Sequence, residues 1–90
     1  MAKFKLKYSK SFLKDYKKLS NGDKDLTDAV LNKLIDGEPL EPRHKDHALK
    51  GKLIGLRDCH VKPDLVLIYK IDEGILILTA VRISNHSNAF

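Results

Sequence analysis

Residues 64–83 read DLVLIYKIDEGILILTAVRI, and this stretch decides the fold. Leu65 to Ile71 and Ile75 to Ile83 are apolar runs rich in β-branched side chains, split by Asp72-Glu73-Gly74, a short turn. The pattern predicts a hairpin of two strands at the centre of a sheet. Its near-continuous apolarity implies cover on both faces for part of its length, or one face left open as a groove, and periodicity does not choose between them. Lys70, Asp72, Glu73 and Gly74 interrupt the run before it reaches the roughly 18 to 20 apolar residues of a membrane span. No membrane is implied.

Upstream of the hairpin, Pro63 interrupts pairing, and residues 53–61 form a mixed segment. Strand alternation there places Cys59 and Val61 on one face and Asp58, His60 and Lys62 on the other, so a carboxylate and an imidazole become neighbours. At the other end of the chain, Phe4, Leu6 and Tyr8 alternate with Lys3, Lys5 and Lys7, which predicts a first strand over 3–8. Ser9 is a capping residue, and Phe12, Leu13, Tyr16 and Leu19 then share one helical stripe. Asn21-Gly22 is expected to end that helix in a left-handed turn, with Asp23 capping a second helix whose apolar face is Leu26, Ala29, Val30, Leu31, Leu34 and Ile35. Gly37 and Pro39 mark its end. Between about 38 and 50 there is no periodic signal, and so long a loop points to a functional role. The expected fold is α+β: an N-terminal strand and a two-helix hairpin packed on a mainly antiparallel sheet of about four strands.

Ninety residues suffice for a single domain, 1–90, with one small core and no deep enclosed pocket, so the active site is expected in a surface groove. An apolar fraction of 42% excludes a wholly disordered chain. The net charge of +5 is unevenly spread: residues 1–20 hold seven lysines against Asp15, whereas 21–41 hold six acids against Lys24 and Lys33. Six further cations lie within 42–62, among the histidines, against Asp46 and Asp58. Such clustering suits a polyanion bound through its phosphates. A lone cysteine cannot form an internal disulfide, and MAKFKLKYSK lacks the apolar stretch of a signal peptide, so a cytoplasmic location is expected.

His47 in KDHALKG, His60 in RDCHVKPD and His86 near the end lie among basic residues, with Asp58 and Asp64 close to His60 in sequence. Together they supply what RNA cleavage without a metal needs: groups that give and take protons near neutral pH beside cations that hold a phosphate. Arg82 falls on the parity of Leu76, Leu78 and Ala80, so its guanidinium is expected to emerge from an apolar row and to need an anion, either a structural carboxylate or a scissile phosphate. Lys50, Lys52 and Arg57 are further candidate phosphate contacts, and Phe90 is either a core plug or a platform for a base. A metal site fails on spacing. His44-x-x-His47 and adjacent Cys59-His60 are not accompanied by CxxC, HExxH or a second cysteine, and no cofactor motif is present.

The combination of KDHALKG, LRDCHVKPDLVLIYK, an arginine strand and a histidine tail ending in Phe resembles the YafQ branch of the RelE/ParE toxin superfamily over essentially the whole chain. The resemblance implies two helices on a mainly antiparallel sheet, cleavage of mRNA in the ribosomal A site, inhibition by a cognate antitoxin and operator binding by the toxin–antitoxin complex. It implies a catalytic group of His47, His60, Asp64 and His86, with Asp58, Arg82 and Phe90 shaping it. The tail RISNHSNAF departs from the family pattern at Ser84, where Gly is usual, and at Ala89, where Leu is usual.

The mechanism expected is attack of a ribose 2′-OH on the adjacent phosphate to give a 2′,3′-cyclic phosphate, with Asp64 as base, His86 as acid, and His47 and His60 stabilising the phosphorane charge or substituting in proton transfer. Two other classes compete with it. A ParE-like topoisomerase inhibitor would not need three histidines, and a non-catalytic nucleic-acid-binding module would lose affinity gradually as lysines are removed.

Overall fold

The computed structural model of the chain describes residues 2–85. Strand β1 (Lys5–Tyr8) leads into α1 (Lys10–Lys17) and α2 (Asn21–Ile35). A segment containing β2 (His47–Ala48) follows, and then β3 (Arg57–Lys62), β4 (Leu65–Asp72) and β5 (Ile77–Asn85). The sheet order is β1-β5-β4-β3-β2, with β1 parallel to β5 and every other pairing antiparallel. The α+β architecture is therefore as expected, with five strands in place of about four. The additional strand is β2, whose two residues are too few to show any period.

Ser9 starts α1 by accepting the Phe12 amide at 3.0 Å, while its own hydroxyl donates to the Val81 carbonyl at 2.5 Å. One residue thus begins the helix and ties it to β5. Phe12, 1% exposed, stacks between Tyr8 and Tyr16 at ring separations of 5.3 and 5.6 Å. Burial, followed by the hydrogen bond to Asp28, pushes the Tyr16 phenol up to about 12.

The second helix begins earlier than expected. Ser20, not Asp23, is its cap, accepting the Asp23 amide at 3.2 Å, so Asn21 and Gly22 lie inside the first turn and no left-handed turn separates the helices. Its end matches the expectation. Gly37 sits at φ +75°, with its amide on the Leu34 carbonyl at 3.1 Å and the Glu38 amide on that of Lys33 at 3.0 Å, the paired bonds of a glycine cap.

The two glycines should consequently respond in opposite directions. Gly22→Ala, in a helix with nothing within 4 Å of an added Cβ, should stabilise by about 0.5–1 kcal/mol. Gly37→Ala meets Lys3 Cδ at 3.0 Å and a left-handed backbone, and should cost about 1–2 kcal/mol. Urea titrations of the two variants check both signs.

The core lies between the helices and one sheet face: Phe12, Val30, Leu31 and Leu34 pack on Cys59, Leu67, Tyr69, Leu78, Ala80 and Ile83. Val66 and Ile68 alternate with these core residues along β4 and are buried as well, so the opposite face has an apolar floor. Two register shifts alter the faces read from simple alternation. Between Ile68 and Tyr69 of β4, the partner in β5 jumps from Arg82 to Ala80, so Val81 is an extra residue and Ile83 takes the buried row. Arg82 therefore leaves the parity of Leu78 and Ala80, contrary to expectation. A similar shift between His60 and Lys62 turns Lys62 toward α2, where its ammonium lies 2.9 Å from Asp23, so Lys62 does not share a face with Asp58 and His60.

Candidate active site

Strand register gathers the candidate residues on the sheet face away from the helices. His47 in β2 stands opposite Asp58 in β3, Asp58 opposite Ile68 in β4, and Ile68 opposite Arg82 in β5. His60, two residues beyond Asp58, stands opposite Val66, which stands opposite Ser84. Strand spacing and rise put the His47 and His60 backbones roughly 8 Å apart. Both imidazoles thus belong to one corner of a shallow surface, within reach of one nucleotide.

Within that corner, Nδ1 of His47 lies 2.6 Å from the Lys45 carbonyl and 3.1 Å from Oδ1 of Asp58. The Lys45 carbonyl accepts from Nδ1, which leaves the lone pair of a neutral ring on Nε2, while Asp58 stands at ion-pair distance without hydrogen-bond geometry to the ring. Asp58 is 2% exposed whereas the His47 side chain is 55% exposed. A buried carboxylate thus lies beside an accessible imidazole that the Lys45 carbonyl orients. Nδ1 of His60 lies 3.3 Å from the Pro63 carbonyl, and the backbone carbonyl of His60 accepts from buried His44 at 2.6 Å. His44 therefore braces β3 rather than joining His47 as a metal ligand.

The segment that carries His47 is anchored by a network the sequence reading missed. The Tyr69 hydroxyl donates to Oδ1 of Asp46, Arg57 Nε donates to the same hydroxyl at 3.3 Å, and the Arg57 guanidinium lies 3.3 Å from Oδ2 of Asp46. Tyr69 is buried among core residues, so this trio links the core to the residue immediately before His47. Burial and the Asp46 carboxylate push the Tyr69 phenol well above its ordinary value, and the Tyr69 bond holds Arg57 above its own. Only the β3–β4 register, with Arg57 opposite Tyr69, reveals the grouping.

Arg57 is thus engaged within the protein, whereas Lys50 and Lys52 are exposed just beyond β2. Arg82, on the same row as His47 but two strands past Asp58, has found its anion: it pairs through Nε and a terminal nitrogen with both carboxylate oxygens of Asp15, at 3.1 and 3.2 Å. That hydrogen bond raises the guanidinium above its usual range. Asp64 lies in the β3–β4 turn, 77% exposed and 3.9 Å from the Lys62 ammonium. Cys59 is fully buried, which pushes its thiol up and makes it a core residue rather than a nucleophile. His86 and Phe90, together with the departure at Ala89, lie outside the described residues. Among the described residues, no three His, Cys, Asp or Glu side chains are placed to hold a metal ion.

This arrangement offers a lone-pair nitrogen on an exposed side chain with a second imidazole nearby, the equipment for proton transfer at a phosphodiester. Comparison with known proteins agrees in fold and in sequence. Residues 4–90 match the family described as the bacterial toxin of type II toxin–antitoxin system, YafQ. The mRNA interferase toxin YafQ of Escherichia coli strain K12 is 38% identical over 74 residues, covering 79% of this chain and 80% of that protein. A metal-bound toxin from Helicobacter pylori superposes with a TM-score of 0.87 at 42% identity, over 97% of this chain and 99% of its own. The E. coli DinJ–YafQ toxin–antitoxin complex contains a chain that superposes at 0.83 and 33% identity, over 98% of each. The chain therefore belongs to the YafQ family of toxins of type II toxin–antitoxin systems.

Proposed function

We propose that this protein is an mRNA interferase: an endoribonuclease toxin that cuts translated message in the ribosomal A site by acid–base chemistry without a metal, and that a cognate antitoxin silences. The observation that carries this reading is the corner of His47, Asp58 and His60, with His47 exposed, on a fold shared with the YafQ chain of E. coli, whose relative is an mRNA interferase. In the step envisaged, a base removes the 2′-OH proton, the oxygen attacks the neighbouring phosphorus, and an acid protonates the departing 5′-oxygen. A 2′,3′-cyclic phosphate remains.

For the base, the geometry supports His47 better than Asp64. The first has a lone pair at Nε2, a ring held by the Lys45 carbonyl and an anion alongside, while the second is a solvated carboxylate beside an ammonium. His60 is the neighbouring imidazole that stabilises charge on the phosphorane, and His86, a member of the catalytic group that the family resemblance implies, is the acid. Proton transfers alone complete the reaction, so no cofactor is required.

The E. coli relative's complex with DinJ supports a cognate antitoxin as partner, and the toxin–antitoxin complex would then bind its operator. Ribosomes place the activity in the cytoplasm, and no helix among the described residues is long and apolar enough to cross a membrane. Primer extension on a message under translation tests the reading. Wild-type protein should produce stops within the reading frame, and His60→Ala and His86→Ala should weaken them by about 10² or more. An intact message in the presence of wild-type toxin would refute it.

A further inference from the structure

On the same sheet face, one row over from His47, Asp58, Ile68 and Arg82, Lys7 of β1 and Lys70 of β4 stand on either side of Thr79 in β5. Alternation fixes their side. Leu6, Leu78 and Ile71 pack against the core, so Lys7, Thr79 and Lys70 project from the other surface. Both lysines are exposed, and no ion pair among the described residues holds either of them.

Their backbones are about 10 Å apart, two strand spacings, which lets two long ammonium side chains converge above the Thr79 hydroxyl. Thr79 lies roughly 12 Å from Asp58 by the same spacing, the distance of a neighbouring part of one bound strand. Edge protection explains a lysine on β1, since charged residues blunt a free sheet edge. It does not explain Lys70, because β4 is paired on both sides. Nearby acids are engaged elsewhere: Asp72 holds the Gly74 and Ile75 amides, Asp15 of α1 holds Arg82, and Asp58 lies beside His47.

We propose that Lys7, Thr79 and Lys70 form a phosphate subsite that grips the backbone of the message beside the bond to be cut, doing the work first expected of Arg57. This rests on the mRNA interferase reading, and it adds the surface that holds the strand in register with His47 and His60. Two ammonium groups and a hydroxyl contact phosphate without reading bases, so the grip is independent of sequence.

The test uses the full chain on ribosomes carrying a message whose riboses are 2′-O-methylated at the A-site codon, which removes the attacking hydroxyl. Lys7→Ala and Lys70→Ala should each weaken binding by about fivefold, as for an exposed ion pair. Each should also reduce the salt dependence by roughly 0.7 in logarithmic slope, the value for one single-strand phosphate contact. Binding to ribosomes without message should not change, kcat on cleavable message should stay within about twofold of wild type, and Lys70→Arg should restore affinity.

Wild-type affinity and salt slope in the double variant would overturn the subsite. So would an equal loss on vacant ribosomes, which would assign the lysines to ribosomal RNA. Loss of antitoxin binding with message binding intact would assign them to the partner protein and also overturn it. Cleavage by wild-type protein, read in the same assay, decides the interferase reading separately.

Discussion

His47→Ala should lower kcat for cleavage of a programmed ribosome's message by about 10² to 10⁴ while leaving KM within a few-fold, the pattern for loss of a group that acts in proton transfer. The reason is local geometry. Nδ1 of His47 donates to the Lys45 carbonyl with Asp58 alongside, which leaves Nε2 available to take the 2′-OH proton in the proposed reaction. Asp58→Asn tests the same arrangement from behind. Its amide has nearly the shape of the carboxylate but no charge, so the imidazolium formed on proton transfer loses the anion beside Nδ1, and kcat should fall by about 10². Asp64→Asn, at a carboxylate 77% exposed, should cost less than about tenfold. Single-turnover kinetics of the three variants decide the assignment. A larger loss from Asp64→Asn than from His47→Ala would transfer the base role to Asp64.

Tyr69→Ala should be the most damaging single change to stability. It removes a ring that is 1% exposed and leaves a cavity beneath β3 and β5, at a cost of about 3–5 kcal/mol. A domain of this size has roughly 5–15 kcal/mol in total, so the melting temperature should fall by at least about 12 °C. Tyr69→Phe is the more informative variant. The ring stays, but Asp46 and Arg57 lose the hydroxyl that joins them to the core, costing about 1–2 kcal/mol. Because Asp46 immediately precedes His47, the loosened segment should also reduce kcat by about tenfold, with KM little altered. Calorimetry paired with cleavage kinetics separates the two effects: a lowered melting temperature with wild-type kcat would mean that the trio holds the fold together without positioning His47.

What was legible in the amino-acid order was whatever repeats over short distances. The runs on either side of Asp72-Glu73-Gly74 announced the central hairpin, the apolar stripes announced both helices, and the alternation of Asp58 with Cys59 placed that carboxylate beside the histidine face. Harder features depended on choices between near-equivalent neighbours. Ser20 and Asp23 are both good caps, and the helix began at the earlier one.

Pairing across strands decided the rest. Arg82 changed faces because Val81 is an extra residue opposite β4, and its partner Asp15 is 67 positions away in sequence. Lys62 left the histidine face at the second register shift for an acid on α2. His47, in a segment with no period of its own, became part of the site through two residues of pairing with β3 and through the anchor of Asp46 to Tyr69. Composition and periodicity determine which residues seek the core and which face solvent, since those preferences belong to single side chains and their near neighbours. Register, bulges and long-range ion pairs are properties of two segments at once, so only the assembled sheet settled which charged groups stand beside the imidazoles.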